Sequence, residues 1–550
     1  MVSVSVSKSW LLERLNDARR GERRAGGITE SQLLGKLPDV KATVEAGNGD
    51  EMTLEVTPDR PDLLCREGIL RSLKGLLEKE TGLPLLTVEK GKAAMKVDAS
   101  VKAVRPFICC AFARGLKLSA NDVAEIMQVQ EKLTLTHGRR RKKVAIGIHD
   151  AARIKPPLEY RAVAPDAVKF IPLGWTREAT PVQILGQHDK GKEYAFALGG
   201  KKACPIIFDA HGVVSFPPII NAARTTVTEK TADLFLDVTG TDYEACNAAL
   251  NILCQNFQDD GARIESMLVA GKETPETAPE TMLLSVEGTN KTLGTSFTAS
   301  EMARYLARQR ITATEAKKGI LRCSIPRYRA DFLHEVDLVE EVALGCGYNS
   351  LVPKKPSVFT LGSLSKKTLF EERARDLLVG AGYAELMTYI LSNEEKAFKS
   401  LAEKNLVRIK NPVSKEYSAL RSTLMPSLLE VLSENTHSPY PQRVFEAGEV
   451  IEKDSSKDTK SAEHTHLCGM SAHAEASLSE SSSVLRKACV SLFGKAPSFE
   501  EGAAPQFLKG RQARVMLDGE MIGVVGELHP QVLLNWRITV PCSGFEVRLF

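Results

Sequence analysis

The first residues alternate: Val2, Val4 and Val6 fall on one side of an extended chain and the intervening serines on the other, a period of two that predicts a half-buried strand. Residues 8–15 lose that alternation and take on charge, so the strand leads directly into a helix. Residues 144–148 (VAIGI), 194–198 (YAFAL) and 513–517 (ARVML) read as further strands. Residues 301–307 read as a helix. Thr298 stands three positions before Glu301, the spacing at which each side chain caps a free backbone amide of the first turn. Strands and helices mix along the whole chain without a regular βαβ order, which predicts an α+β multidomain protein. There is no repeat of fixed period, which excludes a solenoid.

Three stretches interrupt these patterns. Residues 271–282 (GKETPETAPETM) have the polar, proline-containing composition of a linker. Residues 352–365 carry prolines and a glycine between two helical segments. Residues 452–483 are polar and serine-rich and predict a surface insertion, in which His464, His466 and His473 read as flexible surface side chains. With 550 residues, the chain has room for roughly three to five domains.

Composition narrows the class. Apolar residues make up 43% and charged residues 26%, ordinary globular usage that excludes wholesale disorder. Lys and Arg number 73 against 69 acids, a net charge of +4. That balance is too even for a dedicated polybasic binder, so any basic function is local. The local candidates are Arg139, Arg140, Arg141, Lys142 and Lys143, directly before a strand, and a weaker cluster of Arg19, Arg20, Arg23 and Arg24; the competing reading of each is a solvated charge run. No apolar run reaches the roughly 18–20 residues that span a bilayer, and the start lacks a signal-peptide pattern. The eleven cysteines are scattered and never spaced C-x-x-C. A disulfide framework and a cysteine zinc site are therefore not expected, and the chain reads as reduced and cytoplasmic. Neither a G-x-x-x-x-G-K-[ST] loop nor a G-x-G-x-x-G turn is present to bind ATP.

Two constellations carry chemistry. In residues 325–349 (IPRYRADFLHEVDLVEEVALGCGYN), Asp337, Glu340 and Glu341 stand at i, i+3 and i+4, which on a helix puts their carboxylates on one face. Val336, Val339 and Ala343 are expected to bury on the adjoining face, and Asp331 is near enough to turn toward the acids. Oxygen ligands without Cys or His suit Mg²⁺; the competing reading is a solvated acidic face. His334-Glu335 does not begin a zinc motif, because the fifth position is Leu338. The second constellation joins residues 215–221 (SFPPIIN) to residues 228–242 (TEKTADLFLDVTGTD). The prolines make a rigid edge or corner, and Asp237 and Thr239, two apart, share one face if extended. Ser215, Asp237 and Thr239 together are suited to hold a polar ring substituent or a water; the competing reading, and the commoner one for such a segment taken alone, is a structural turn. No Ser–His–base arrangement is evident, so nucleophilic catalysis is not expected. Residues 57–73 (TPDRPDLLCREGILRSL) combine proline turns with ion-pairing residues and read as structural.

These segments, together with Arg105–Phe107 (RPF), RRRKKVAIGIHD, EYSALRSTLMPSLL, RVFEAGEV and GELHPQVL, resemble the β subunit of phenylalanyl-tRNA synthetase in its archaeal and eukaryotic cytosolic form, in the same order over nearly the whole chain. The resemblance implies an α₂β₂ heterotetramer that charges tRNA(Phe) with phenylalanine, using ATP as substrate and Mg²⁺, with amino-acid activation on the α subunit. It implies an N-terminal α/β module at 1–99, a B3/B4-type editing domain at 100–270, a small winged-helix-like B5 module at 283–355 and a noncatalytic, degenerate class II-like antiparallel sheet domain at 366–550. In that frame Asp331, Asp337, Glu340 and Glu341 hold a Mg²⁺ shared with α. Ser215, Asp237 and Thr239 serve hydrolysis of mischarged Tyr-tRNA(Phe), and residues 139–143 are a candidate tRNA contact. After RVFEAGEV, where a class II core supplies an arginine for ATP, the chain has Ile451, Glu452, Lys453 and Asp454. The alternative is a free-standing nucleic-acid-binding protein, for which the C-terminal third has no use.

Overall fold

The computed structural model describes residues 2–17, 27–355, 358–402 and 406–549, in two compact units, Met1–Pro356 and Ser357–Phe550. The arginine cluster at 19, 20, 23 and 24 lies outside the described residues.

The first unit opens as the alternation predicts. Strand Val2–Ser7 pairs antiparallel with Glu51–Val56, whose other edge is covered by Ala42–Asn48. Val4 and Val6 are buried against Leu11 and Leu15 of the helix Lys8–Asn16. Residues 57–73 are structural as expected. Arg60 and Asp62 form a buried bidentate pair (2.8 and 2.8 Å) just before the helix Arg66–Leu76.

An eleven-stranded sheet dominates the rest of this unit. Its path runs Ile220–Asn221, Gly212–Phe216, Cys204–Asp209, Leu158–Val163, Ala94–Val97, Arg263–Val269, Phe107–Arg114, Leu234–Gly240 and Val144–Asp150, with Val88–Glu89 and Lys272–Thr274 also paired to Arg263–Val269. Leu234–Gly240 is wholly buried. Leu234, Leu236 and Val238 join the core built around the helix Tyr243–Asp259, while Phe235 belongs to the core on the opposite side. By the two-residue period Asp237 and Thr239 share the face of Phe235. The unit closes with a three-stranded sheet, ordered Glu280–Ser285, Ile320–Ile325, Thr312–Lys317, packed with the helices Ala299–Arg308 and Glu335–Cys346. The capping box is formed: the Thr298 amide donates to Glu301 Oε2 (2.8 Å) and the Glu301 amide to Thr298 Oγ1 (3.2 Å).

The second unit is a seven-stranded sheet ordered Ala384–Glu385, Gln442–Lys453, Ser461–Ala472, Cys542–Arg548, Glu520–Leu528, Phe507–Leu517, Ser498–Glu501, antiparallel except for its first pair. Alternate residues serve two cores. Phe445, Leu467 and Phe545 meet the helices Lys366–Gly380 and Leu478–Phe493, whereas Val444, Cys468 and Met470 meet Met425–Glu434 and Pro530–Trp536. Among the described residues no helix is long and apolar enough to cross a membrane.

Three sequence expectations differ from the structure. Residues 194–198 are not a strand: Asp189–Tyr194 is helical and Ala195–Leu198 is a 3-10 turn. Tyr194 and Leu198, four apart, are buried and Phe196 is exposed, a helical period that five residues cannot distinguish from alternation. The linker at 271–282 is partly structured: Lys272–Thr274 forms a hairpin with Arg263–Val269 and Glu280 begins the next strand, with residues 275–279 irregular between them. Thr274 Oγ1 accepts from the Cys110 amide (3.0 Å) and donates to its carbonyl (2.7 Å). The serine-rich stretch at 452–483 is not a surface insertion. It contains the central strand Ser461–Ala472 and enters the helix Leu478–Phe493. Its polar side chains bury by bonding to one another, Ser481 to Ser543 (2.8 Å) and Ser471 to Glu480 (3.0 Å). His466 and His473 are likewise fixed, on Glu546 (2.7 Å) and Glu480 (2.9 Å). The break at 352–365 does fall at the division between the units.

Candidate functional site

The face of Leu234–Gly240 that carries Asp237 and Thr239 opens into a cavity of about 290 Å³. Its opposite wall is the edge hairpin Gly212–Phe216 and Ile220–Asn221, turned by Pro217 and Pro218, so the rigid corner expected from the prolines is present. Ser215, Asp237 and Thr239 all line it, with Gln130, Arg141, Ile146, Gly147 and Asn221. Ser215 Oγ donates to Asn221 Oδ1 (3.0 Å). Thr239 Oγ1 accepts from Arg105 Nε (3.0 Å), and the residue is fully buried in the cavity lining. Asp237 Oδ2 bonds His149 Nε2 (2.8 Å).

The residues that sequence reasoning missed are those holding this constellation in place. Arg105 is buried within the fold, and burial pulls its pKa below the usual arginine value. It also bonds the carbonyls of Thr239 (2.6 Å), Arg141 (3.2 Å) and Lys142 (3.3 Å). Those last two belong to a turn in which Arg139, Arg140 and Arg141 are all left-handed (φ 49°, 53° and 66°). Such a run of non-glycine residues is strained and persists only where surrounding bonds hold it. Arg141 then reaches inward to the Ile219 carbonyl (2.9 Å) and to Glu131 (2.9 Å). Within the basic run, Arg141 and Lys143 are thus tied into the fold, whereas Arg139, Arg140 and Lys142 stay exposed. Lys143 pairs with Asp242 (3.1 Å), and Arg140 and Lys142 lie over Phe196 (5.1 and 5.3 Å).

Gly147 stands opposite Asp237 in the sheet register. A Cβ there would overlap Asp237 Oδ2 and come within 2.8 Å of His149 Nε2. Gly147→Ala is expected to displace Asp237, abolishing any selectivity that depends on its carboxylate, and to cost roughly 1–3 kcal/mol from overpacking. Ligand selectivity and the urea midpoint, measured on one preparation, check both parts.

The four acids do not meet as the helical spacing predicted. Asp337, Glu340 and Glu341 do lie on the helix Glu335–Cys346. However, Asp337 turns back to accept the amides of Leu333 and His334 (2.7 and 2.7 Å), because the helix start leaves those donors free. Glu340 pairs with Lys41 (3.0 Å). Asp331 and Glu341 do come together, through Arg329, which donates to both Asp331 oxygens (2.8 and 2.7 Å) and to Glu341 Oε1 (2.8 Å). Glu341 is buried rather than solvated, and its Oε2 is buried without a hydrogen-bond partner. Val339 and Ala343 bury as expected, whereas Val336 is 58% exposed. Among the described residues no three His, Cys, Asp or Glu side chains are grouped to hold a metal ion. The donor set is nonetheless all oxygen, with one buried carboxylate oxygen unsatisfied, a chemistry that suits a hard cation rather than a soft one.

Burial alone would raise the Asp331 pKa, but the Arg329 charge and hydrogen bonds, with Arg60, hold it down to about 2. Its folded value lies below the unfolded value of 3.8. The group therefore stabilises fully above the unfolded value, and that contribution disappears as pH falls toward 2. Acid titration of unfolding is expected to show a loss on the order of 2 kcal/mol in this window, absent from Asp331→Asn.

Comparison with known proteins agrees with this architecture. The tRNA synthetase B5 domain family matches residues 282–348, and the phenylalanyl tRNA synthetase β chain CLM domain family matches residues 351–549. Both define components of an aminoacyl-tRNA synthetase. The phenylalanine–tRNA ligase β subunit of Archaeoglobus fulgidus is 37% identical over 536 residues, 96% of each chain. That of Pyrococcus horikoshii is 38% identical over 499 residues, 89% of each. The crystal structure of an N-terminal fragment of the P. horikoshii β subunit matches with a TM-score of 0.58 at 33% identity, covering 63% of this chain and 100% of the fragment. The chain belongs to the family of phenylalanyl-tRNA synthetase β subunits.

Proposed function

We propose that this chain pairs with an α subunit in an α₂β₂ phenylalanine–tRNA ligase of the cytoplasm, that α activates phenylalanine with ATP, and that this chain hydrolyses tRNA(Phe) mischarged with tyrosine. The observation that carries the hydrolytic part is the convergence of Ser215, Asp237 and Thr239 on one cavity of about 290 Å³, at the small end of ligand pockets. A hydrophobic site for phenylalanine rejects a substrate that merely adds a hydroxyl by only about 10²-fold. A second site built to bond that hydroxyl separates the two far better, because phenylalanine leaves its buried polar groups unpaired.

In this reading the tyrosyl hydroxyl donates to Asp237. Thr239 and the Ser215–Asn221 pair orient the ester and the attacking water. Water adds to the ester carbonyl, the bond to the ribose oxygen breaks, and that oxygen leaves as a hydroxyl while tyrosine departs as the carboxylic acid. No side-chain nucleophile is required. Arg139, Arg140 and Lys142, exposed beside the Arg141 wall, are the surface past which the tRNA backbone reaches the cavity. The part at 100–270 is the B3/B4-type editing domain, and 366–550 is a class II-like scaffold without its own activation site.

Asp331, Glu341, Asp337 and Glu340 are the residues that would hold Mg²⁺, with further ligands from α. Such a cation supplies charge neutralisation for the unsatisfied Glu341 oxygen. Mg²⁺-dependent association with α, followed by sedimentation of the wild type and Asp337→Ala/Glu341→Ala, tests this: association insensitive to both Mg²⁺ and the substitutions contradicts it. Phenylalanine-dependent ATP–pyrophosphate exchange tests the division of labour. The chain alone is expected to be silent and the complex with α active; exchange by the chain alone refutes the assignment.

A further inference from the structure

We infer that His149 is a positioning residue that fixes which oxygen of Asp237 faces the cavity, so that discrimination for a phenolic hydroxyl depends on a residue that never touches the substrate. This deepens, and rests on, the hydrolytic reading above.

His149 lies on the strand Val144–Asp150, fully buried, with its ring 5.8 Å from that of Phe235. Its two nitrogens are both engaged. Nε2 bonds Asp237 Oδ2 (2.8 Å) and Nδ1 bonds Thr225 Oγ1 (2.8 Å). Thr225 Oγ1 is also 3.1 Å from the Ala222 carbonyl. Counting protons shows what this chain imposes. If the Thr225 proton goes to His149, the imidazole carries its proton on Nε2 and donates to the Asp237 carboxylate. If it goes to Ala222, Nδ1 carries a proton. Nε2 then either donates as part of an imidazolium or accepts from a protonated Oδ2. In every case Oδ2 is committed to the ring and Oδ1 remains an acceptor. Oδ1 has no hydrogen-bond partner among the described residues, and Asp237 lines the cavity.

An aspartate carboxylate turns about a broad, two-fold torsion. Left alone, Asp237 would present either oxygen and would have to be ordered when the substrate arrives, at a cost to binding. The clamp removes that freedom beforehand, as outer partners of site residues do elsewhere. Gly147 is the matching absence: a side chain there would occupy the space through which Asp237 reaches His149.

The test uses the assembled complex and preformed Tyr-tRNA and Phe-tRNA, with the ratio of their hydrolytic kcat/KM as readout. His149→Leu is expected to lower the Tyr/Phe ratio roughly tenfold or more, chiefly through KM for Tyr-tRNA. His149→Gln, whose amide can still donate near the Nε2 position, is expected to stay within about threefold of wild type. Thr225→Val, which releases the far side of the ring, gives a second reading if His149→Leu does not fold, and is expected to lower the ratio by roughly threefold. An unchanged ratio in the folded variants overturns the inference, as does an equal fall with Leu and Gln. Asp237→Ala separates the two levels: if it too leaves the ratio unchanged, the hydrolytic reading fails; if it collapses the ratio while His149 and Thr225 variants do not, only the positioning role fails.

Discussion

Asp237→Ala in the assembled complex is expected to slow hydrolysis of Tyr-tRNA by roughly 10–100-fold, the range set by losing a hydrogen bond to a charged group in a desolvated site. Hydrolysis of Phe-tRNA, which offers Asp237 no hydroxyl, should barely change, so the variant loses selectivity rather than all activity. Phenylalanine-dependent pyrophosphate exchange, assigned in the proposal to α, should remain at the wild-type rate. Tyrosine should therefore accumulate on tRNA(Phe) under charging conditions. Quantifying both aminoacyl-tRNAs during charging checks this, and continued clearance of Tyr-tRNA would mean that the cavity reads something other than the phenol.

The largest stability effect is expected at Arg329. Its guanidinium is 1% exposed and pairs with Asp331 (2.7 Å) and Glu341 (2.8 Å), side chains themselves 8% and 1% exposed. Arg329→Leu would leave two carboxylates buried without their cation. Breaking a buried pair in this way costs about 3–5 kcal/mol, because the desolvation of the remaining charge is no longer offset. Replacing all three residues by apolar ones of similar volume should recover much of the loss, as the desolvation cost then disappears as well. Denaturant unfolding of the single and triple variants distinguishes the two outcomes. The same comparison bears on Mg²⁺: if the cation from outside takes over neutralisation of Glu341, added Mg²⁺ should narrow the gap between Arg329→Leu and wild type only when α is present.

Period-two patterns were the most legible part of the chain. Val2, Val4 and Val6 announced a strand, and the two-residue spacing of Asp237 and Thr239 put them on one face, because side-chain direction in a strand depends on local geometry alone. The proline corner at Pro217–Pro218 was legible for the same reason. The second half of the site was hidden because it depends on strand register. Gly147 and His149 share a face of their own strand, but only the pairing of Gly147 with Asp237 gives them meaning. Composition misled where buried polar side chains satisfy one another, as Ser471 and Ser481 do within a core strand and helix. Helical spacing also proved insufficient for the acids. Asp337, Glu340 and Glu341 occupy one helix, yet a free helix start, Lys41 and Arg329 draw their carboxylates in three directions.

The most direct test of the central claim is hydrolysis of purified Tyr-tRNA and Phe-tRNA by the wild-type complex without ATP, amino acid or pyrophosphate, so that neither recharging nor reversal of activation contributes. Rapid release of tyrosine, much slower release of phenylalanine, and loss of the difference in Asp237→Ala are expected. Equal rates for the two substrates, or no hydrolysis of either above the spontaneous rate, would contradict the claim.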